Sequence, residues 1–152
     1  ECNIYRTLTG KIFKEVCHQL RYFYSKHDSI QEYLKKHPIS LDDLLLTLCN
    51  WCEPARLGSP YRNSACKRIN MLLRWMVRKD EIDLGVWQTD LIKPKKLYAI
   101  MNTHAQQAQR MGLISYPKES WKAVMELTHV YRQWDAEDPL KYDFILMTKN
   151  LK

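Results

Sequence analysis

The part of this sequence best suited to chemistry is the stretch from Arg56 to Lys79, which carries seven cations and no acidic residue. Such a concentration of arginine and lysine creates a local positive field, and that field favours anionic partners such as nucleic acid. The alternative is a core helix whose cations pair with the acidic residues that follow it, namely Asp80, Glu81 and Asp83. The residues alone leave both interpretations open.

A helix is predicted within this stretch, and it places one lysine at a defined position. Ser64 is the predicted N-cap, and the run that follows it is apolar on nearly every side. That pattern is typical of a buried helix. Lys67 falls in the first turn of this helix. We therefore expect its amine at the edge of a cleft.

The other elements are also predicted to be helices, because apolar residues recur at three- and four-residue spacing and only four glycines interrupt the chain. The stretch from Lys79 to Leu97 lacks this spacing and is predicted to be irregular. We expect one all-α domain over residues 1–152, folded as a compact orthogonal helical bundle. The predicted helices cover Thr9–Ser25, Asp28–Lys36 and Ser40–Glu53, a short helix ending at Arg110 before Gly112, Glu119–Trp134, and a last helix beginning at Asp138 and Pro139.

The first predicted helix is amphipathic. An apolar stripe runs along one face, and a basic flank lies beside it. The stripe is expected to face the core. It consists of Ile12, Val16, Leu20 and Phe23, and the flank consists of Lys11, Lys14, His18, Arg21 and Lys26.

The whole chain has a formal net charge of +7, which favours nucleic acid or a membrane surface, although a solvated basic surface is the simpler alternative. No apolar stretch approaches the length of about 18 residues that a membrane-spanning helix needs, so no membrane partner is expected. No signal-peptide pattern opens the sequence. We expect an intracellular, cytoplasmic protein.

Five cysteines are present, an odd number that does not suggest a disulfide framework and that fits a reducing compartment. Cys49 and Cys52 have the spacing of a redox or metal-binding pair. A zinc site needs two further ligands, and the remaining cysteines do not supply a second pair. We therefore interpret them as core cysteines, and we predict no metal and no cofactor.

Two short runs carry a resemblance to a known superfamily. The run Lys67-Arg68-Ile69-Asn70-Met71-Leu72-Leu73 resembles the K-x-x-N-hydrophobic run of the helix-hairpin-helix, endonuclease III-like DNA glycosylases. Met101-Asn102-Thr103-His104 is similar to their V-D-T-H segment. Three longer blocks more closely resemble an uncharacterised family of helical proteins related to these glycosylases, roughly from Tyr5 to Leu146. These blocks are SACKRINMLLRWMVRKDEIDLGVW, NTHAQQAQRMGL and DPLKYDFIL.

The resemblance implies a helical glycosylase-like fold, with an N-terminal helical portion of the family lying outside this sequence. It also implies a reaction. In the superfamily the lysine is the nucleophile of the bifunctional enzymes and the aspartate is catalytic, and these positions correspond to Lys67 and Asn102. An extruded nucleotide would be attacked at C1′ by the lysine amine, giving a Schiff base. The implied partner is double-stranded DNA with a damaged base or an abasic site.

The sequence departs from the superfamily in two places. The hairpin of the L-P-G-V-G type is replaced by Arg62-Asn63-Ser64-Ala65-Cys66, which contains no glycine. Because glycine eases close approach of the backbone to a phosphate, we expect Arg62 and Ser64 to hold the phosphate instead. Asn102 stands where an aspartate is expected, and an amide cannot act as a carboxylate base. The implied enzyme is therefore weakened or inactive.

The remaining candidate nucleic-acid-binding residues are Arg68, Lys93, Lys95, Lys96 and His104. Our leading hypothesis is a DNA-binding protein resembling a base-excision DNA glycosylase or lyase. Two alternatives stay open, a non-catalytic nucleic-acid-binding module and a helical protein-interaction domain. The latter predicts that lysine and arginine scatter over all faces rather than line one cleft.

Overall fold

A computed structural model describes residues 3–5, 8–51, 58–87, 90–102 and 105–148. Within these ranges the chain is mostly helical, which confirms the all-α class. The α-helices are α1 Gly10–Tyr24, α2 Ile30–Lys36, α3 Leu41–Trp51, α4 Lys67–Val77, α5 Ala105–Arg110, α6 Trp121–Trp134 and α7 Asp143–Thr148. Short 3₁₀-helices cover Pro60–Arg62, Pro94–Lys96 and Pro139–Tyr142. No helix in the described part of the chain combines the length and apolarity needed to cross a bilayer.

One feature of the first residues was not predicted. Two short antiparallel strands, β1 Asn3–Tyr5 and β2 Leu8–Thr9, precede the first helix. They are too short to show the period-two alternation by which a strand is recognised in a sequence.

Hydroxyl side chains cap the starts of α1 and α3. The Thr9 hydroxyl accepts a hydrogen bond of 3.3 Å from the Ile12 N–H, and the Ser40 hydroxyl accepts one of 3.1 Å from the Asp43 N–H. The prediction for α2 was wrong by one residue. Ser29 rather than Asp28 caps that helix.

The last helix also differs from the prediction. Asp138 and Pro139 open a 3₁₀-helix, and α7 begins only at Asp143. The Asp138 side chain does not cap this turn. It binds Arg78 instead, at 2.8 and 2.9 Å.

The core consists of two clusters on either side of the extended segment from Leu97 to Met101. Leu97 and Ile100 belong to the first cluster, which α2, α3 and α4 complete. Ala99 and Met101 belong to the second, which α5 and α6 complete. Because all four side chains are at most 1% exposed, this segment is enclosed by helices.

The amphipathic helix α1 is an exception to this burial. Phe23 is its one buried residue among those described, whereas Leu20 is 41% and Phe13 50% exposed. The expectation that the apolar stripe faces the core is therefore met only at its C-terminal end. Val16 and Leu20 of the stripe border a cavity between α1, α3 and α4.

Candidate functional site

Lys67 and Asn102 are in direct contact. The Lys67 Nζ donates a hydrogen bond of 2.7 Å to the Asn102 Oδ1. Lys67 is the first residue of α4, and Asn102 directly follows the enclosed segment that ends at Met101. Both side chains are half-buried. The two positions that the resemblance pairs therefore lie side by side.

The segment before Asn102 is fixed by two hydrogen bonds to its backbone. The Ala99 N–H donates to the Thr128 hydroxyl at 2.9 Å, and the Ile100 N–H donates to the Asp143 Oδ1 at 3.3 Å. Because both acceptors are buried, these bonds are shielded from competing water. Asn102 thus follows a segment that is held by buried hydrogen bonds.

The turn before Lys67 differs from the prediction. Cys66, not Ser64, is the N-cap residue of α4, and it adopts a left-handed conformation with φ of 46°. Ser64 stabilises the turn in another way, because its hydroxyl accepts a hydrogen bond of 3.3 Å from the Cys66 N–H. Asn70 braces the same turn, since its side-chain amide donates to the Ala65 carbonyl at 3.1 Å.

The residue before Ser64 connects this turn to α6. Asn63 is left-handed, with φ of 55°. Its carbonyl accepts from the Trp121 N–H, and its Oδ1 accepts from the Lys122 N–H, each at 3.1 Å. Ser120 satisfies the next N–H groups of α6, at Ala123 and Val124. The hairpin without glycine is therefore held by Asn63, and Arg62 beside it is exposed.

Two arginines are buried in ion pairs, one within α4 and one directly after it. Arg74 is 1% exposed and binds Asp83 at 2.9 Å and Asp143 at 3.2 Å. Arg78 binds Asp83 at 2.6 Å and also pairs with Asp80 and Asp138. The alternative that cations of this helix pair with Asp80 or Asp83 is confirmed for these two residues.

This pairing reduces the positive field predicted for the stretch. Arg62, Arg68 and Lys79 are exposed, and Lys67 is half-buried. Arg56 lies outside the described residues. The exposed positive charge of the described part of the stretch is therefore concentrated at the N-terminal end of α4 and the turn before it, with Lys79 beyond its other end.

The network also shifts the acidity of its members. Burial raises the pKa of Asp143 to about 7, against the opposing effects of Arg74 and the Ile100 N–H. Burial and the Asp143 charge raise the pKa of Tyr131. By contrast, hydrogen bonds from the N–H groups of Asp83 and Ile82 lower the pKa of Asp80 to about 2.

The structure does not bring the lysines of the KPKK run to Lys67. Lys95 binds Glu137 at 3.1 Å. The next residue, Asp138, pairs with Arg78, which directly follows α4, so Lys95 lies near the C-terminal end of that helix. Since α4 has 11 residues, its C-terminal end lies about 16 Å from Lys67 at its start.

The other members of the run are surface residues. Lys93 lies 3.7 Å from the exposed Asp90, and Lys96 is exposed. His104, the last candidate of this group, lies outside the described residues.

Cys49 lies in the core, as predicted. Cys49 and Cys66 are both buried in the first core cluster, and Cys52 lies outside the described residues. A hydrogen bond with the Cys49 thiol lowers the pKa of Cys66, in opposition to burial. Among the described residues, no group of three or more His, Cys, Asp and Glu side chains is arranged to hold a metal ion.

A cavity of about 430 Å³ lies between α1, α3 and α4. Neither Lys67 nor Asn102 lines it, but Arg68, the residue after Lys67, does. Two further cavities, of about 210 and 410 Å³, border Tyr98 and Asp42. The larger of these is lined by Lys95, Lys96 and Arg132.

Sequence reasoning missed Asp143 and Asn63 as the residues that hold the site together. Asp143 joins Arg74 of α4 to the segment that carries Asn102, and Asn63 joins the turn before Lys67 to α6. The available signal for the first was an arginine inside an otherwise apolar helix, because a buried charge needs a partner.

The fold and the site define a helical protein in which a lysine at the start of a core helix meets an amide from an enclosed segment. The chain belongs to the family described as "Protein of unknown function (DUF2400)", whose model matches residues 1–152. Comparisons with curated proteins and with solved structures found no match.

Proposed function

We propose that this protein binds DNA through the first turn of α4, and that Lys67 and Asn102 mark the position of a glycosylase- or lyase-like reaction. The observation that carries the proposal is the contact of 2.7 Å between the Lys67 amine and the Asn102 amide. These two residues are 35 positions apart in the chain and are the pair to which the resemblance assigns the chemistry. The proposed partner is duplex DNA with a damaged base or an abasic site.

The reaction needs a neutral amine and a group that accepts a proton. The neutral Lys67 amine would bond to C1′ of the sugar while the bond from C1′ to the base or hydroxyl breaks, and one amine proton goes to the leaving group. The bond from C1′ to the ring oxygen O4′ then opens and O4′ takes the second amine proton, which leaves a Schiff base. Asn102 can orient the amine, because its Oδ1 accepts one N–H. It cannot take up a proton as a carboxylate does.

The neighbouring carboxylate does not replace the missing one. Asp143 is fully buried, and its two oxygens accept from the Ile100 N–H and from Arg74. It therefore supports the segment that carries Asn102 instead of facing Lys67. On this basis we propose a slow chemical step at most, with DNA binding retained.

The same amide favours the second candidate function, a non-catalytic nucleic-acid-binding module. Lys67 would then contact a phosphate or a base through the N–H groups that Asn102 does not engage. A duplex lying along α4 would pass Lys67 at one end and the KPKK lysines at the other, about 16 Å away. Both candidates share the DNA-binding surface and differ in the covalent step.

Borohydride trapping with an abasic duplex tests the chemistry. A covalent adduct with the wild type that is lost in Lys67→Ala supports the enzyme. Lys79→Ala is the matched control, because Lys79 is an exposed lysine just after the same helix. Binding without any adduct favours the non-catalytic module.

A salt titration of duplex affinity tests the shared surface. The logarithm of affinity should fall linearly with the logarithm of salt concentration, by about 0.9 for each phosphate neutralised. If Lys67 contacts a phosphate, Lys67→Ala should reduce that slope by about one. Affinity that does not depend on salt would contradict DNA binding altogether.

A further inference from the structure

The cavity between α1, α3 and α4 has the size and the walls of a ligand site. Its volume of about 430 Å³ lies in the range of about 300–1,000 Å³ that is usual for small-molecule pockets. Because neither Lys67 nor Asn102 lines it, it is separate from the site described above. Arg68 connects the two places, since it lines the cavity and directly follows Lys67.

The walls of the cavity are apolar and aromatic. Phe23 and Trp51 line it, with ring centroids 4.6 Å apart. Leu20 of α1 and Leu72 of α4 line it as well, and Leu20 is 41% exposed to solvent. Concave sites for small molecules are lined predominantly by hydrophobic and aromatic side chains of this kind.

The charged side chains among the described residues that line the cavity have one sign. Among the described residues that line it, Lys26 and Arg68 are charged, and no aspartate or glutamate is present. The Lys26 ammonium lies 4.1 Å from the centre of the Tyr22 ring, which is also part of the lining. An occupant that complements this site has a planar apolar body and an adjoining anionic group.

We propose that this cavity takes an unpaired base of the bound nucleic acid, with the adjoining phosphate against Lys26 and Arg68. A nucleotide unit combines the planar ring and the anion that the cavity complements, and stacking on aromatic side chains together with cations along the backbone is a general mode of binding single strands. The inference rests on the proposed function, because it takes nucleic acid as the ligand. It adds a second base site beside Lys67, occupied by a neighbouring nucleotide.

A short single-stranded DNA that carries one 2-aminopurine, and its RNA counterpart, test the proposal. The fluorescence of this base is quenched when it stacks, so binding to the wild type should quench it. The two strands distinguish the sources of the base. Quenching with one strand alone identifies DNA or RNA as the ligand, and quenching with both indicates a site for either.

Two matched variants test the place of binding. Leu20→Glu puts a carboxylate at the cavity and should remove the quenching and weaken single-strand affinity by about 5- to 150-fold, the loss that corresponds to one stacked base. Phe13→Glu adds the same charge to the same helix, where Phe13 is 50% exposed and does not line the cavity. Its affinity should stay close to that of the wild type.

The outcomes separate this inference from the proposed function. If the abasic duplex binds but 2-aminopurine stays bright, or if the two variants behave alike, the cavity holds no base and the inference is wrong while DNA binding stands. If the wild type binds neither duplex nor single strand, both proposals fail. Because both substituted residues are exposed, unchanged thermal melting of each variant verifies that the fold is intact.

Discussion

The Lys67 Nζ lies 2.7 Å from the Asn102 Oδ1, and this contact joins the start of α4 to the end of an enclosed segment. The backbone that precedes each partner is held by a hydrogen bond. Asn70 braces the turn before Lys67, and Asp143 binds the backbone two residues before Asn102. A side-chain pair held in this way should keep its geometry when one atom is exchanged. The effect of such a substitution on activity then reports the chemical role of that atom and not a change in structure.

Asn102→Asp exchanges one such atom and should create the missing carboxylate. The new oxygen would replace the amide nitrogen, and the carboxylate would keep its other oxygen in contact with the Lys67 amine. Because a positioned general base contributes about 10²- to 10⁴-fold to the rate, we expect the rate at which the borohydride-trapped adduct forms on an abasic duplex to rise within that range. The rate of adduct formation, measured by denaturing gel, gives the comparison.

The control for this gain is the double variant Lys67→Ala with Asn102→Asp, which should show no adduct. An adduct that forms equally well without the lysine would assign the reaction to another amine. If Asn102→Asp binds the duplex and still forms no adduct, the reaction is not a property of this site.

Asp83 should be the acidic residue on which stability depends most. It is fully buried and bridges Arg74 at 2.9 Å and Arg78 at 2.6 Å. Removing Asp83 takes hydrogen bonds from two buried guanidinium groups, which keep Asp143, Asp80 and Asp138 as partners, so Asp83→Ala should lower the free energy of unfolding by about 1–3 kcal/mol. Asp90→Ala is the comparison, because Asp90 is fully exposed and should change stability by at most about 0.5 kcal/mol. Equal effects in urea denaturation would refute the role of the network.

The sequence predicted the helices well and the connections between them less well. Periodic apolar residues and capping side chains such as Thr9 and Ser40 act locally, so they can be recognised from neighbouring positions alone. Cys66 illustrates the limit, because it caps α4 in a left-handed conformation that few residues other than glycine adopt. Nothing in the local sequence indicates that choice.

The candidate site shows the same division. The positions of Lys67 and Asn102 were obtained from a resemblance, since no local rule brings together residues that are 35 apart. The buried pair of Arg74 and Asp143 spans 69 positions and depends on how α7 packs against α4. The lysines of the KPKK run were assigned to nucleic-acid binding from their charge alone. Charge does not indicate that this run lies near the C-terminal end of α4, away from Lys67.

Asn63 should contribute to stability through both its backbone conformation and its side chain. Asn63→Gly keeps the left-handed turn and loses the hydrogen bond to the Lys122 N–H, which should cost about 0.5–1.5 kcal/mol. Asn63→Ala also strains the backbone at φ of 55°, which adds about 1–2 kcal/mol. Asn63→Asp retains the acceptor near the N-terminus of α6 and should stay close to the wild type. Urea denaturation gives the ranking, and an alanine variant as stable as the aspartate variant would show that Asn63 does not cap α6.

Asp143 should make the protein less stable as the pH rises. Its folded pKa of about 7 lies above the value of about 3.9 expected in the unfolded chain, so the folded state binds more protons between these two values. The contribution of the protonated carboxyl is therefore complete below about pH 4 and is lost as the pH approaches 7. Asp80 and Asp135 act outside this window, because their lowered pKa values of about 2 affect stability only below about pH 4.

Asp143→Asn removes the titrating proton and keeps an oxygen for the Ile100 N–H. The free energy of unfolding of the wild type should fall between pH 4 and 7 by up to about 4 kcal/mol, at about 1.4 kcal/mol for each unit of pKa difference. The variant should lack this slope, so the difference between the two proteins should change steadily across the window. Urea denaturation at half-unit pH intervals measures both curves. If they run parallel, Asp143 is ionised throughout because Arg74 outweighs burial, and the network is a permanent ion pair that does not titrate.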